Sequence, residues 1–264
     1  MSNTHNQNPT QRQEFARELI QSLCPLALAH FKKTVHSDLK DDMSPVTWVD
    51  KQIENHCRQA IAKAYPLDGI LGEEEGHLTS RSGFTWIIDP IDGTRSFITG
   101  HPLFGMMLAC MSHHQTQTAI VAIPTQHEIY SASYHQGSTL NQQSIHVSTQ
   151  TSLSQAQLYI NEAERIWRQE PEIFALLMSC ALSRRFSHDC VPYTLLASGH
   201  IDALVDYGLE AYDFLPVALI VQEAGGVITD WHGQALHEKS DGRIAAAATP
   251  ALHAELLQVL NSHS

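Results

Sequence analysis

The run Trp86-Ile87-Ile88-Asp89-Pro90-Ile91-Asp92-Gly93-Thr94 constrains this chain more than any other stretch. An apolar, strand-like segment ends in two carboxylates three positions apart, and a glycine and a hydroxyl follow at once. Carboxylates where a buried strand meets a turn cannot be satisfied by an apolar core. They need a metal ion, a cationic partner or solvent. Gly93 permits a sharp turn and lets backbone N–H groups approach an anion closely. Metal ligands beside an anion cradle point to phosphoryl-transfer chemistry.

With 264 residues, 43% hydrophobic and 17% charged, the chain can bury one large core or two closely joined lobes. Its formal charge of -12 disfavours non-specific association with nucleic acid or an anionic membrane. No apolar run reaches membrane-span length and residues 1–12 contain no signal-peptide core, so a cytoplasmic location is expected. The five cysteines are scattered without a Cys-x-x-Cys pair, which reads as reduced, buried thiols. The seventeen histidines fall in polar stretches and read as surface residues.

Residues 1–12 read as a disordered lead-in, followed by a single domain over 13–264 with two lobes, about 13–150 and 151–264. Helical spacing of apolar residues predicts a helix over 14–31. A second helix is expected from Asp50, as its N-cap, to about Tyr65. Short strands are predicted at 69–72, 84–88, 104–111, 119–123 and 128–133. Beyond a polar break near 148–155, strands at 158–160, 203–205, 227–229 and 244–248 alternate with helices at 172–180, 190–197, 212–224 and 251–260. The pattern is that of one α/β unit.

Acidic residues recur at turns flanked by apolar segments: Glu73-Glu74, Asp89 with Asp92, Asp213 and Asp50. A few carboxylates from separate elements suffice for Mg²⁺, which takes oxygen ligands and keeps several waters. Each also has a plainer explanation. Asp213 could be an N-cap or a first-turn partner of the helix dipole, and the Glu73 cluster a solvated charge run. The Asp89/Asp92 pair resists such an explanation, because the Ile87-Ile88 segment delivers it at the end of a buried strand.

The block from Trp86 to Thr94, preceded by Gly72-Glu73-Glu74 and followed by Asp213 and Glu223-Ala224-Gly225-Gly226, resembles the inositol monophosphatase superfamily over roughly residues 35–235. The histidinol-phosphate phosphatase branch is most similar. That likeness rests on Asp92-Gly93-Thr94-Arg95-Ser96-Phe97-Ile98-Thr99-Gly100, on Asp189-Cys190 with the segment from Tyr193 to Asp202, and on Gly208-Leu209-Glu210-Ala211-Tyr212-Asp213. The resemblance implies an αβαβα layered α/β fold, a homodimer, and Mg²⁺-dependent hydrolysis of a small-molecule phosphate monoester, with two or three ions and Mn²⁺ as a substitute. Glu73, Asp89 and the Ile91 carbonyl would hold one ion, and Asp89, Asp92 and Asp213 a second. Glu73 and Thr94 would orient the attacking water, with Asp50 behind Thr94. Backbone N–H groups of Gly93 and Thr94 would grip the phosphate.

The resemblance also implies that Asp189, Asp206 and Glu210, with Asp92 and Arg95, are the candidate readers of the alcohol. Three carboxylates around a leaving group suit a cationic alcohol, and histidinol phosphate carries an ammonium that Asp189 could pair with. Asp189 could instead be the N-cap of the 190–197 helix, and Asp206 a solvated strand end. Glu210 stands where relatives often carry lysine, and Asp206 is shorter than the usual glutamate. An inositol-phosphate or broader sugar- or nucleotide-phosphate phosphatase is the alternative enzyme. A non-catalytic phosphometabolite-binding protein is the alternative of another class, disfavoured by the intact ligand set. The chain lacks a P-loop, a Gly-x-Ser-x-Gly elbow and the Asp-x-Asp pair of aspartate-nucleophile phosphatases.

Overall fold

The computed structural model describes residues 9–33, 37–39 and 45–262. Residues 1–8 of the expected lead-in lie outside them. Its last four residues do not belong to a lead-in, because helix α1 already spans Pro9–His30. Arg12 explains the early start. Its guanidinium is buried (2% exposed), paired with Asp68 and stacked on the Tyr65 and Phe84 rings at 4.2 and 4.0 Å.

Strands β1 (Ser37–Leu39) and β2 (Pro45–Thr47) pair and lead into α2 (Trp48–Ala64). The N-cap of α2 is Thr47, not Asp50. Asp50 occupies the third helical position and completes a capping box, its Oδ2 accepting the Thr47 N–H at 2.9 Å. Strands β3 (Gly69–Gly72), β4 (Gly76–Leu78) and β5 (Phe84–Asp92) follow, then the short helix α3 (Thr94–Thr99). The meander β6 (Gly105–Ser112), β7 (Gln115–Ile123), β8 (Glu128–Ser133), β9 (Ser138–Leu140) and β10 (Gln143–Ile145) completes an eight-stranded sheet in the order β10-β9-β8-β7-β6-β5-β3-β4.

The chain continues with β11 (Gln157–Asn161), α4 (Ala163–Gln169), α5 (Pro171–Leu177), β12 (Ser183–Ser187), α6 (Val191–Ala197), β13 (Ala203–Asp206), α7 (Ala211–Glu223), β14 (Val227–Asp230), β15 (Ile244–Ala247) and α8 (Pro250–Leu260). These five strands order as β12-β11-β13-β15-β14. Strand β12 and helix α4 escape the sequence pattern, since Ser183-Arg184-Arg185-Phe186-Ser187 is a polar edge strand with no buried alternation.

Three apolar clusters define the layers. Helices α1 and α2 cover one face of the large sheet through Ile20, Val49, Ile53, Trp86 and Ile88. Helices α6 and α7 lie between the sheets, packing Tyr193, Phe214 and Val217 against Ile87 and Val121 on one side and Leu204 and Ala246 on the other. Helices α5 and α8 close the outer face of the small sheet. The sandwich is therefore αβαβα. The middle layer matters most for the site, because it brings the start of α7 to the end of β5.

Candidate metal and phosphate site

Side chains alternate along a strand, so residues three apart should point to opposite faces. Asp89 and Asp92 escape this rule through a β-bulge. Between Asp89↔Met107 and Asp92↔Gly105, strand β5 advances three residues while β6 advances two. The extra residue reverses the alternation: Ile87 faces the middle helices, yet Ile91 joins the opposite cluster with Ile88. Pro90 has no N–H to lose in such an irregularity. Both carboxylates thus emerge on the side of α7.

Asp213 meets them there from the first turn of α7. One oxygen from each of Asp89, Asp92 and Asp213 lies within 4.8 Å of the others. Asp213 Oδ2 accepts the Glu210 N–H at 2.7 Å, which fixes its rotamer and caps the helix. The first-turn role foreseen for Asp213 and its place in the cluster are therefore compatible. Glu73, in the β3–β4 turn, is tied to β5 by its N–H to the Ile88 carbonyl at 3.2 Å, and its carboxylate bears on Asp89.

Burial, then the charges of Glu73, Asp92 and Asp213, holds the Asp89 carboxyl well above the usual carboxylate range. Burial and the nearby carboxylates do the same to Asp92 and Asp213. Asp89 Oδ1 is buried and accepts no hydrogen bond. A buried carboxylate oxygen without a donor, among mutually repelling carboxylates, fits a hard divalent cation. Asp89, Asp92, Asp213 and Glu73 could hold it.

Thr94 opens α3 after Gly93, whose φ of +87° is left-handed. A Cβ at Gly93 would lie 2.5 Å from Asp189 Oδ2, so only glycine fits. The Thr94 hydroxyl lies 3.2 Å from Asp50 Oδ1 and 3.1 Å from the Ile91 carbonyl. Asp50 thus caps α2 with one oxygen and reaches Thr94 with the other, and burial raises its carboxyl.

Glu73, Asp89, Ile91, Asp92, Gly93, Thr94, Arg95, Asp189, Asp206, Glu210 and Asp213 line one pocket, with Asp50 behind its wall. Asp189 is not the helix cap considered above. Cys190 occupies that position, while Asp189 sits at φ +65° with Oδ2 accepting from Ser96 Oγ at 2.8 Å. Its carbonyl accepts from Asn161 Nδ2 at 3.1 Å. Asp206 is not a solvated strand end either. It is buried, accepting from Asn161 Nδ2 and the Tyr193 hydroxyl, both at 2.9 Å, and from the Tyr207 N–H at 2.8 Å. Those bonds turn it inward as a brace for the wall. Burial pushes its carboxyl up to about 7.

Glu162 and Arg165, which no sequence motif singles out, also line this wall. Glu162 has a φ of +43° at the start of α4 and stands 3.6 Å from Arg165 and 3.7 Å from His188. Its only sequence signal is an acidic residue after the apolar strand β11, too common a pattern to single out.

The model of the inositol monophosphatase family matches residues 8–264. The chain belongs to the inositol monophosphatase family. It is a metal-dependent phosphoric monoester hydrolase, as members of that family are. A histidinol-phosphatase from Chlorobaculum parvum is 33% identical over 236 residues, covering 88% of this chain and 91% of the relative. The Nus factor SuhB from Pseudomonas aeruginosa is also 33% identical, over 234 residues, with 85% of each chain covered. A solved inositol monophosphatase structure from Zymomonas mobilis matches with a TM-score of 0.86 at 29% identity, over 95% of this chain and 98% of that one. Relatives of equal identity carry different names, so family membership fixes the reaction class and leaves the alcohol to the pocket. Among the described residues, no helix is long and apolar enough to cross a membrane.

Proposed function

We propose that this member of the family hydrolyses L-histidinol phosphate to L-histidinol and phosphate. The observation that carries the reading is the Asp189 carboxylate, seated against Gly93 and Ser96 at the border between the phosphate turn and the rest of the pocket. A substrate whose phosphate lies over Gly93 and Thr94 extends its alcohol past Asp189. Glu162 and Glu210 line the same pocket. An ammonium is held there by a charge-assisted hydrogen bond that a neutral polyol cannot supply.

Glu73, Asp89, Asp92, Asp213 and the Ile91 carbonyl would hold Mg²⁺, which when bound acidifies water and offsets charge on the phosphoryl oxygens. The chain's own groups arrange the attack. The Thr94 hydroxyl directs its proton to Asp50 Oδ1 or the Ile91 carbonyl, which leaves an oxygen lone pair to accept from the attacking water. Glu73 orients that water from the other side. Burial makes Asp50 the better proton acceptor.

The test compares kcat/KM for histidinol phosphate, inositol 1-phosphate, fructose 1,6-bisphosphate and 3′-phosphoadenosine 5′-phosphate in Mg²⁺. Histidinol phosphate is expected to lead by at least about tenfold, the discrimination expected of one charged contact. Preference for inositol 1-phosphate would overturn the reading in favour of the activity named for the Zymomonas mobilis enzyme.

A further inference from the structure

Glu54, on α2, is fully buried, which is unusual for a glutamate. Both of its oxygens are spent on the acidic turn between β3 and β4. Oε2 accepts the Glu74 N–H at 2.8 Å and Oε1 accepts the Glu75 N–H at 3.0 Å. One helical turn along, Arg58 donates Nε to Glu54 Oε1 at 2.8 Å, and its Nη2 reaches the Gly76 carbonyl at 2.5 Å. Arg58 Nε also stands 3.6 Å from the Glu75 carboxylate. Gly72 is glycine because the pair presses on it: a Cβ there would lie 2.1 Å from Glu54 Oε1.

Each residue of the turn is therefore held by one backbone group. The Glu73 N–H is tied to Ile88, next to Asp89; the Glu74 and Glu75 N–H groups are tied to Glu54; the Gly76 carbonyl is tied to Arg58. Three consecutive glutamates would otherwise splay toward solvent to relieve their repulsion. A buried carboxylate is a costly way to close a hairpin that any polar turn could close with water. What it provides is a rigid backbone from which Glu73 reaches the Asp89 cluster.

We propose that Glu54 and Arg58 are positioning residues that hold Glu73 in the cation site from behind. This rests on Glu73 being a cation ligand, as read under Proposed function. Without the clamp the turn swings out and the cation loses an oxygen, while the phosphate turn at Gly93 and Thr94 stays in place.

The test is calorimetric titration of the full chain with Mg²⁺, beside the Mg²⁺ dependence of turnover. Glu54→Gln is expected to raise the Mg²⁺ dissociation constant about tenfold or more, as loss of a ligand's supporting hydrogen bonds does. At saturating Mg²⁺, kcat should recover to within about threefold, and KM for substrate should hardly move. Arg58→Lys, at a partly exposed position, should give a smaller shift in the same direction and serves if Glu54→Gln fails to fold. Glu54→Gln combined with Glu73→Gln should bind Mg²⁺ no more weakly than Glu73→Gln alone. A lowered Tm with unchanged Mg²⁺ affinity in the folded variants would overturn the proposal. If Glu73→Gln itself leaves Mg²⁺ affinity unchanged, the ligand assignment fails instead.

Discussion

The backbone N–H of Cys190 donates to Asp92 Oδ2, joining the end of β5 in the large sheet to the head of α6 in the middle helical layer. That bond ties the Asp89, Asp92 and Asp213 cluster to the pocket wall that carries Asp189. Asp92 faces Asp89 and Asp213 on one side, and the residue before Cys190 is Asp189, whose carboxylate rests on Gly93. The charge of Asp189 is also the largest neighbouring contribution holding the Asp92 carboxyl up, after burial.

Replacing Asp92 by Asn preserves an oxygen for the Cys190 N–H and removes the charge the cation needs. Turnover of every phosphomonoester is expected to fall by about 1000-fold or more, with an unchanged circular dichroism spectrum. Activity within tenfold of the parent would mean that the cation cluster lies elsewhere.

Asp189→Asn keeps an acceptor for Ser96 Oγ and loses the charge offered to an ammonium. Loss of a buried charge pair predicts about a 30-fold drop in kcat/KM for histidinol phosphate and less than about threefold for inositol 1-phosphate. Equal losses for the two substrates would remove Asp189 from alcohol recognition.

Thr94→Ala deletes the hydroxyl that bonds Asp50 Oδ1 and that is proposed to hold the attacking water. Its kcat is expected to drop about 100-fold, the usual scale of proton-transfer catalysis, while calorimetric Mg²⁺ affinity stays the same. Thr94→Ser should recover most of the rate. A serine variant as slow as the alanine one would show that the methyl group's packing, not the hydroxyl, is what matters.

The raised carboxyls of Asp89, Asp92 and Asp213 couple stability to pH. In the cation-free fold they keep protons that the unfolded chain releases in the ordinary carboxylate range. Their contribution is thus fully present below that range and is lost as pH rises through the folded values. Mg²⁺ binds the ionised cluster, so the rise in Tm that it causes should grow as pH climbs over the interval from the ordinary carboxylate range upward. A Mg²⁺ effect flat over that interval in thermal melts would contradict the assignment.

Asp68 is expected to govern stability and leave catalysis alone. It accepts from Arg12, from Ser82 Oγ at 2.6 Å and from Trp86 Nε1 at 2.9 Å, on the face of the large sheet away from the pocket. Asp68→Ala leaves the Arg12 charge buried and uncompensated, at a cost of about 3–5 kcal/mol in urea denaturation. KM at 25 °C should be unchanged. A loss below about 1 kcal/mol would show that Arg12 escapes to water, as an exposed pair would allow.

Local chemistry was legible in the chain: apolar periodicity gave the main helices and strands, and Asp89-Pro90-Ile91-Asp92-Gly93-Thr94 gave the reaction type. Side-chain oxygens, a proline and a glycine constrain their own neighbourhood wherever they occur. Which face Asp89 and Asp92 share was decided by pairing with β6, because the bulge exists only against a partner strand. The approach of Asp213 and Asp189 to that face depends on the middle helices being closed between two sheets, about a hundred residues along the chain. The grip of Asn161 and Tyr193 on Asp206 Oδ2, and that of Glu54 on the Glu74 and Glu75 amides, join residues far apart in the chain and exist only in the closed fold. The sequence by itself determined which groups could bind a cation and a phosphate. Only the tertiary structure decided which of them face one another, since burial and hydrogen-bond partners are properties of chain closure, not of local order.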